Sequence, residues 1–128
     1  MKIISTDKAP AAVGPYSQAV VAHGLVYTSG QIAIDPLTNT VKGTTIEEQT
    51  EQVMKNLGAV LAEASSGFEM AVKTTCFLAD MNDFAAFNEI YGRYFTSLPA
   101  RSCVAVKTLP KGVLVEVEVI AEVCDYSY

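Results

Sequence analysis

From Val113 to Val123 the chain alternates with period two: Val113, Val115, Val117, Val119, Ala121 and Val123 fall on one face, and Leu114, Glu116, Glu118, Ile120 and Glu122 on the other. The alternation predicts a strand whose valine face lies under helices, while its second face is solvated or covered by another subunit. A helical period takes over at Ile46, Val53, Leu57, Val60, Leu61 and Ala64. Two overlapping capping boxes, Thr44-x-x-Glu47 and Thr45-x-x-Glu48, precede it and Ser65-Ser66-Gly67 follows it, so a helix from about Thr45 to Ala64 is predicted. Phe84, Phe87, Tyr91, Tyr94 and Phe95 form an aromatic stripe after Asn82-Asp83. It reads as a second helix packed on a sheet rather than a platform for stacking bases.

The remaining segments read as strands. Lys2 to Ser5 is short, and Ser17 to Ala22 and Leu25 to Ser29 meet at His23-Gly24, two residues suited to the left-handed backbone of a tight hairpin turn. Met70 to Ala79 is rich in Val, Thr and Phe. Ser102 to Lys107 is a plausible partner for the Val113 to Val123 strand, joined to it through Leu109-Pro110-Lys111-Gly112. Prolines at 10 and 15 keep the intervening segment a loop, and Asp35 to Asn39 is turn-rich. The order β, ββ, α, β, α, ββ gives an α+β sandwich with both helices on one face of a mixed sheet. Its open face carries Leu114 and Ile120, and symmetric association is the economical way to bury them.

Composition narrows the function. The 128 residues suit one domain, 1–128, and half of them are hydrophobic, enough for a buried core. No apolar run exceeds four residues, which excludes a membrane-spanning helix or a secretory leader and leads us to expect a cytoplasmic protein. Fourteen acidic against nine basic side chains, with no basic run, disfavour binding to a phosphate backbone. One histidine, His23, and three dispersed cysteines, Cys76, Cys103 and Cys124, supply neither a disulfide framework nor a usual zinc site.

Two readings stand open for Arg101: an exposed strand-edge arginine, or a planar, permanently charged receptor for a small carboxylate. Cys103 shares its strand face and would be a nucleophile only with a base that the sequence does not offer. Glu116 and Glu118 alone read as solvated strand residues.

The motifs Gly14-Pro15-Tyr16-Ser17-Gln18-Ala19, Ser29-Gly30-Gln31, Asn82-Asp83-Phe84 with Asn88, Pro99-Ala100-Arg101-Ser102-Cys103-Val104, and Leu109-Pro110 followed by Val115-Glu116-Val117-Glu118 resemble, in order and spacing, the RidA/YjgF family. The likeness runs from about residue 2 to Val123. It implies a chorismate-mutase-like α+β fold, a homotrimer with clefts between subunits, and hydrolysis of 2-imino acids such as 2-iminopropanoate and 2-iminobutanoate to 2-keto acids and ammonia. Carried over by motif, Arg101 binds the substrate carboxylate and Glu116 positions or activates water. Tyr16, Gly30, Asn88 and the backbone of Cys103 shape the cleft, and no cofactor or metal is needed. The alternative is a trimeric module that binds 2-keto acids without turnover. Ala105 stands where many relatives carry Glu, and the link from Phe95 to Pro99 is shorter than usual. Cys124 to Tyr128 lies past the motifs and is expected to be a frayed end.

Overall fold

The alternating segment becomes the centre of the molecule. In the computed structural model, which describes residues 1–124, the strands are β1 (Lys2–Ile4), β2 (Ala19–Ala22), β3 (Leu25–Thr28), β4 (Ile34–Asp35), β5 (Thr40–Val41), β6 (Ala71–Leu78), β7 (Ala100–Ala105) and β8 (Val115–Glu122). The helices are α1 (Ile46–Glu63) and α2 (Phe84–Tyr94). The expected frayed end, apart from Cys124, lies outside the described residues. Six strands form one sheet in the order β1-β2-β3-β8-β6-β7, and β4 and β5 form a separate small hairpin.

Every alternate residue of β8 and its flanks, from Val113 to Val123, is almost completely buried, and those from Val115 onward join the cluster built by Val53, Met54, Leu57, Val60 and Leu61 of α1 and Phe87 and Tyr91 of α2. Both helices therefore cover one face of a mixed sheet, as the sequence pattern predicts. Of the two capping boxes, the one that closes is Thr45 with Glu48: Glu48 N donates to Thr45 Oγ1 at 3.2 Å, and Thr45 N donates to Glu48 Oε1 at 3.2 Å. Thr44 N donates to the same carboxylate at 3.0 Å, so Glu47 is left out of the cap. These backbone bonds hold Glu48 below its ordinary pKa. His23 and Gly24 take φ of 54° and 78°, the left-handed pair that the β2–β3 hairpin requires.

The pairing expected for the segment after Pro99 is corrected. β7 does not pair with β8; it runs parallel to β6, with Arg101 opposite Thr74 and Cys103 opposite Cys76, while β8 lies antiparallel on the other side of β6. The reason is the intervening helix, since β6, α2 and β7 form a crossover unit that returns a strand parallel to its predecessor. The connection from β7 to β8 consequently passes over β6 instead of turning back as a hairpin. The β4–β5 hairpin has two residues in each strand, too few to carry a period.

Candidate functional site

Glu116 is set by its neighbours on β8. Because Val115 and Val117 point into the helical layer, Glu116 points out of the opposite sheet face, half-buried. The segment after β3 closes over it. Gln31 and Val117 exchange backbone hydrogen bonds, N to O at 2.9 Å and 3.1 Å, which clamps Ser29-Gly30-Gln31 onto β8. Gly30 then lies against the carboxylate: a Cβ added there would overlap Glu116 Oε2 and sit 2.8 Å from Glu116 Cδ. Only the absence of a side chain at this position leaves the carboxylate its seat.

A cavity of about 400 Å³ opens in front of Glu116, lined also by Tyr16, Gln18, Gly30, Gln31 and Lys111. Its far wall is the loop after β1, tied down by the buried amide of Gln18, which donates from Nε2 to Pro10 O at 2.8 Å and accepts from Thr6 N at 2.7 Å. Burial, and secondarily the Glu118 carboxylate, raise the Glu116 pKa above the ordinary carboxylate value. Such a group is primed to hold or release a proton nearer neutrality.

Arg101 belongs to a different construction. From β7, at the sheet edge, it reaches toward α2: its guanidinium carbon lies 4.7 Å from the centre of the Tyr91 ring and 5.4 Å from that of Phe84, and Nη1 donates to Asn88 Oδ1 at 2.5 Å. Phe84, Asn88 and Tyr91 recur at helical spacing, so one stripe of α2 supplies both the aromatic bed and the polar partner. Thr74 and the Tyr91 hydroxyl are 2.7 Å apart, and that contact fixes the bed to β6. Beside the guanidinium runs a groove of about 730 Å³, lined by Asn88, Tyr91, Gly92, Leu98, Pro99 and Arg101. Neither of the ion pairs among the described residues engages Arg101, and so its charge is open to a ligand.

Cys103 projects from the same face as Arg101 and packs against the core beside Cys76. Burial raises its thiol pKa despite the nearby arginine, and burial pushes the Cys76 thiol up to about 12. Both sulfurs are protonated at neutral pH, and neither is a thiolate nucleophile. Among the described residues no group of three His, Cys, Asp or Glu side chains is placed to hold a metal ion, and no helix is long and apolar enough to cross a membrane.

The six residues marked by the sequence thus fall into two sets. Tyr16, Gly30 and Glu116 meet at the cavity on the open sheet face; Asn88, Arg101 and Cys103 meet at the β7 edge on the helical side. Within one chain the arginine and the glutamate face opposite sides of the sheet. Sequence reasoning missed Phe84 and Tyr91 as the bed of Arg101, because an aromatic stripe is equally well explained by core packing; the signal was Asn88 on the same stripe. It also missed Gln31, whose backbone clamp leaves no mark in composition.

The profile of the family described as Endoribonuclease L-PSP matches residues 6–123. The chain belongs to this family. It is 60% identical over 124 residues to a RutC family protein of Synechocystis, covering 94% of this chain and 95% of that one. It is 51% identical to a mouse protein named 2-iminobutanoate/2-iminopropanoate deaminase, over 94% of this chain and 90% of the mouse protein. A crystal structure of a Rid-family protein of Yersinia pestis superposes with a TM-score of 0.93 at 49% identity, covering 95% of this chain and 98% of that one. The motif-based likeness drawn from the sequence therefore holds over nearly the whole chain.

Proposed function

We propose that the protein is an enamine/imine deaminase that hydrolyses 2-imino acids, 2-iminopropanoate and 2-iminobutanoate among them, to 2-keto acids and ammonia. It acts as a cytoplasmic homotrimer of chorismate-mutase-like subunits. The observation that carries this reading is the pairing of a ligand-ready guanidinium with a desolvated carboxylate of raised pKa, each at the mouth of a concave surface. The name of the mouse relative supports the same chemistry.

The steps follow from the groups present. Arg101, held flat on Tyr91 and Phe84, takes the substrate carboxylate through two parallel hydrogen bonds and so fixes the imine carbon. A protonated imine is already electrophilic, and the site has mainly to hold it beside one ordered water. Water oxygen bonds to C2 as the C=N electron pair moves to nitrogen; Glu116 accepts the proton that the water loses. The carbinolamine then collapses: Glu116 returns its proton to the nitrogen, the C–N bond breaks as the oxygen lone pair forms the C=O bond, and the proton of the C2 hydroxyl passes through the Glu116 carboxylate to the departing ammonia, which leaves as ammonium. Tyr16 and Gly30 bound the water side and Asn88 steadies the arginine.

Since Arg101 and Glu116 face opposite sides of one sheet, the working cleft forms between copies, with Arg101 from one and Glu116 from the next. A passive 2-keto acid binder would gain nothing from a second anion at that point. Net charge −5 without a basic run makes a nucleic-acid substrate a poor fit.

The test is complementation. Arg101→Lys and Glu116→Gln chains are each assayed for acceleration of keto-acid formation from 2-iminopropanoate generated in situ, then refolded together in equal amounts. Random mixing puts both native groups in about one cleft in four (½ × ½) and restores about a quarter of wild-type activity. Two inactive variants that stay inactive when mixed would place the chemistry within one chain and overturn the proposal.

A further inference from the structure

The short link between α2 and β7 holds a leucine in an improbable place. Leu98 has φ of 54°, left-handed backbone that a bulky residue avoids, and the proline that follows it disfavours any but extended backbone. The strain is imposed from both sides: Ser97 Oγ donates to Ala71 O at 2.9 Å, anchoring the link to the start of β6, and Pro99 leads directly into β7. Held this way, Leu98 is 89% exposed and contributes nothing to the core. Strain of this kind, maintained by the surrounding fold without a packing reason, points to a functional position.

Its surroundings say which function. Leu98 and Arg101 line the same groove, and three residues of chain put their Cα atoms at most about 10 Å apart. Gly92 of α2, which lines the same groove, has nothing within 4 Å of the place a Cβ would occupy, and the groove is open there. Tyr91, Gly92 and Pro99 line the same stretch and give it apolar walls.

We infer that Leu98 is a specificity-determining residue, which receives the apolar side chain of a 2-imino acid whose carboxylate rests on Arg101 and so favours branched side chains of about four carbons. This rests on the deaminase reading above. A one-carbon side chain ends short of Leu98 and is indifferent to it.

The experiment compares kcat/KM for two imines generated in situ by an amino-acid oxidase, 2-imino-4-methylpentanoate from leucine and 2-iminopropanoate from alanine. Leu98→Asn and Leu98→Gly both tolerate the left-handed backbone. Each should lower kcat/KM for the branched imine on the order of tenfold, leave 2-iminopropanoate within about twofold, and keep or raise the thermal midpoint. Leu98→Met should retain the wild-type preference. An unchanged ratio between the two substrates, or dissociation of the oligomer in both variants, would show that Leu98 covers something other than substrate and overturn the inference alone. Wild-type protein inactive on both imines would instead overturn the deaminase reading and the inference with it.

Discussion

The Glu116 cavity and the Arg101 groove solve opposite problems with opposite materials. Around Glu116 the walls are backbone: a two-bond clamp from Gln31 to Val117, a glycine pressed on the carboxylate, and a loop pinned by the Gln18 amide. Around Arg101 they are side chains, two aromatic rings and an amide on one stripe of α2. Backbone walls take part of a carboxylate out of solvent and shift its pKa, which suits a proton carrier. A side-chain bed leaves the guanidinium wet and directional, which suits capture of an anion. A change at one region should therefore read out in chemistry, and at the other in recognition.

Arg101→Lys sharpens the contrast most. Lysine keeps the charge but not the planar fork or its stacking, so kcat/KM for 2-iminopropanoate should fall on the order of 10² to 10³ while the thermal midpoint hardly moves. Steady-state kinetics beside a melting curve check both halves; near-wild-type turnover would reduce Arg101 to a surface charge.

On the other side, Gly30→Ala should cost on the order of tenfold in kcat. The added methyl meets the far end of the Glu116 side chain, which can swing aside at little cost to stability, and the displaced carboxylate would no longer face the water of the proposed mechanism. If the variant melts early and turns over normally, Gly30 serves the fold and not the site.

A smaller effect is expected in pH dependence. The raised pKa means that Glu116 is ionised, and able to act as base, only above the ordinary carboxylate value of about 4.3, so the acid limb of kcat/KM lies above that value. Removing the neighbouring charge with Glu118→Gln should move the limb downward, burial being the larger cause and remaining in place. In stability the sign is reversed. A raised folded pKa contributes stability that is fully present below the unfolded value and is lost as pH rises through the folded one, so Glu116→Gln should flatten that fall. A limb that ignores Glu118 would mean that another group sets it.

Least of all should change with Cys103→Ser, because the half-buried thiol is protonated and its neighbours are packing contacts. Most activity should survive, and complete loss with the fold intact would revive covalent catalysis.

Much of this was legible in the chain. The β8 alternation, the Thr45 cap and the His23-Gly24 turn each depend on residue types whose local physics has one strong outcome, and each stands where the sequence places it. The β7 pairing was misread because adjacency in sequence was taken for adjacency in space, although a strand, a helix and a strand in succession imply a parallel crossover. At the site, the motifs marked both Arg101 and Glu116. What sequence alone could not convey is that Val115, Val117 and the α2 stripe send the two to opposite faces, since that depends on which helix covers which strand.

The place of β8 has one more consequence, in the order of events during synthesis. It is the latest strand of the sheet to be made and yet sits between β3 and β6, pairing Leu25 with Glu122 and Leu78 with Val115. Until residues 115–122 emerge, the β1-β2-β3 meander and the β6-β7 pair are two fragments with open edges, which is where a nascent chain is exposed to aggregation. The local β6-α2-β7 unit can form early, whereas the sheet closes only through contacts spanning most of the chain, the slow kind. Insertion of β8 joins the two fragments and delivers Glu116 in the same step, so the nascent protein gains the acid–base group proposed here only as it becomes one folded body.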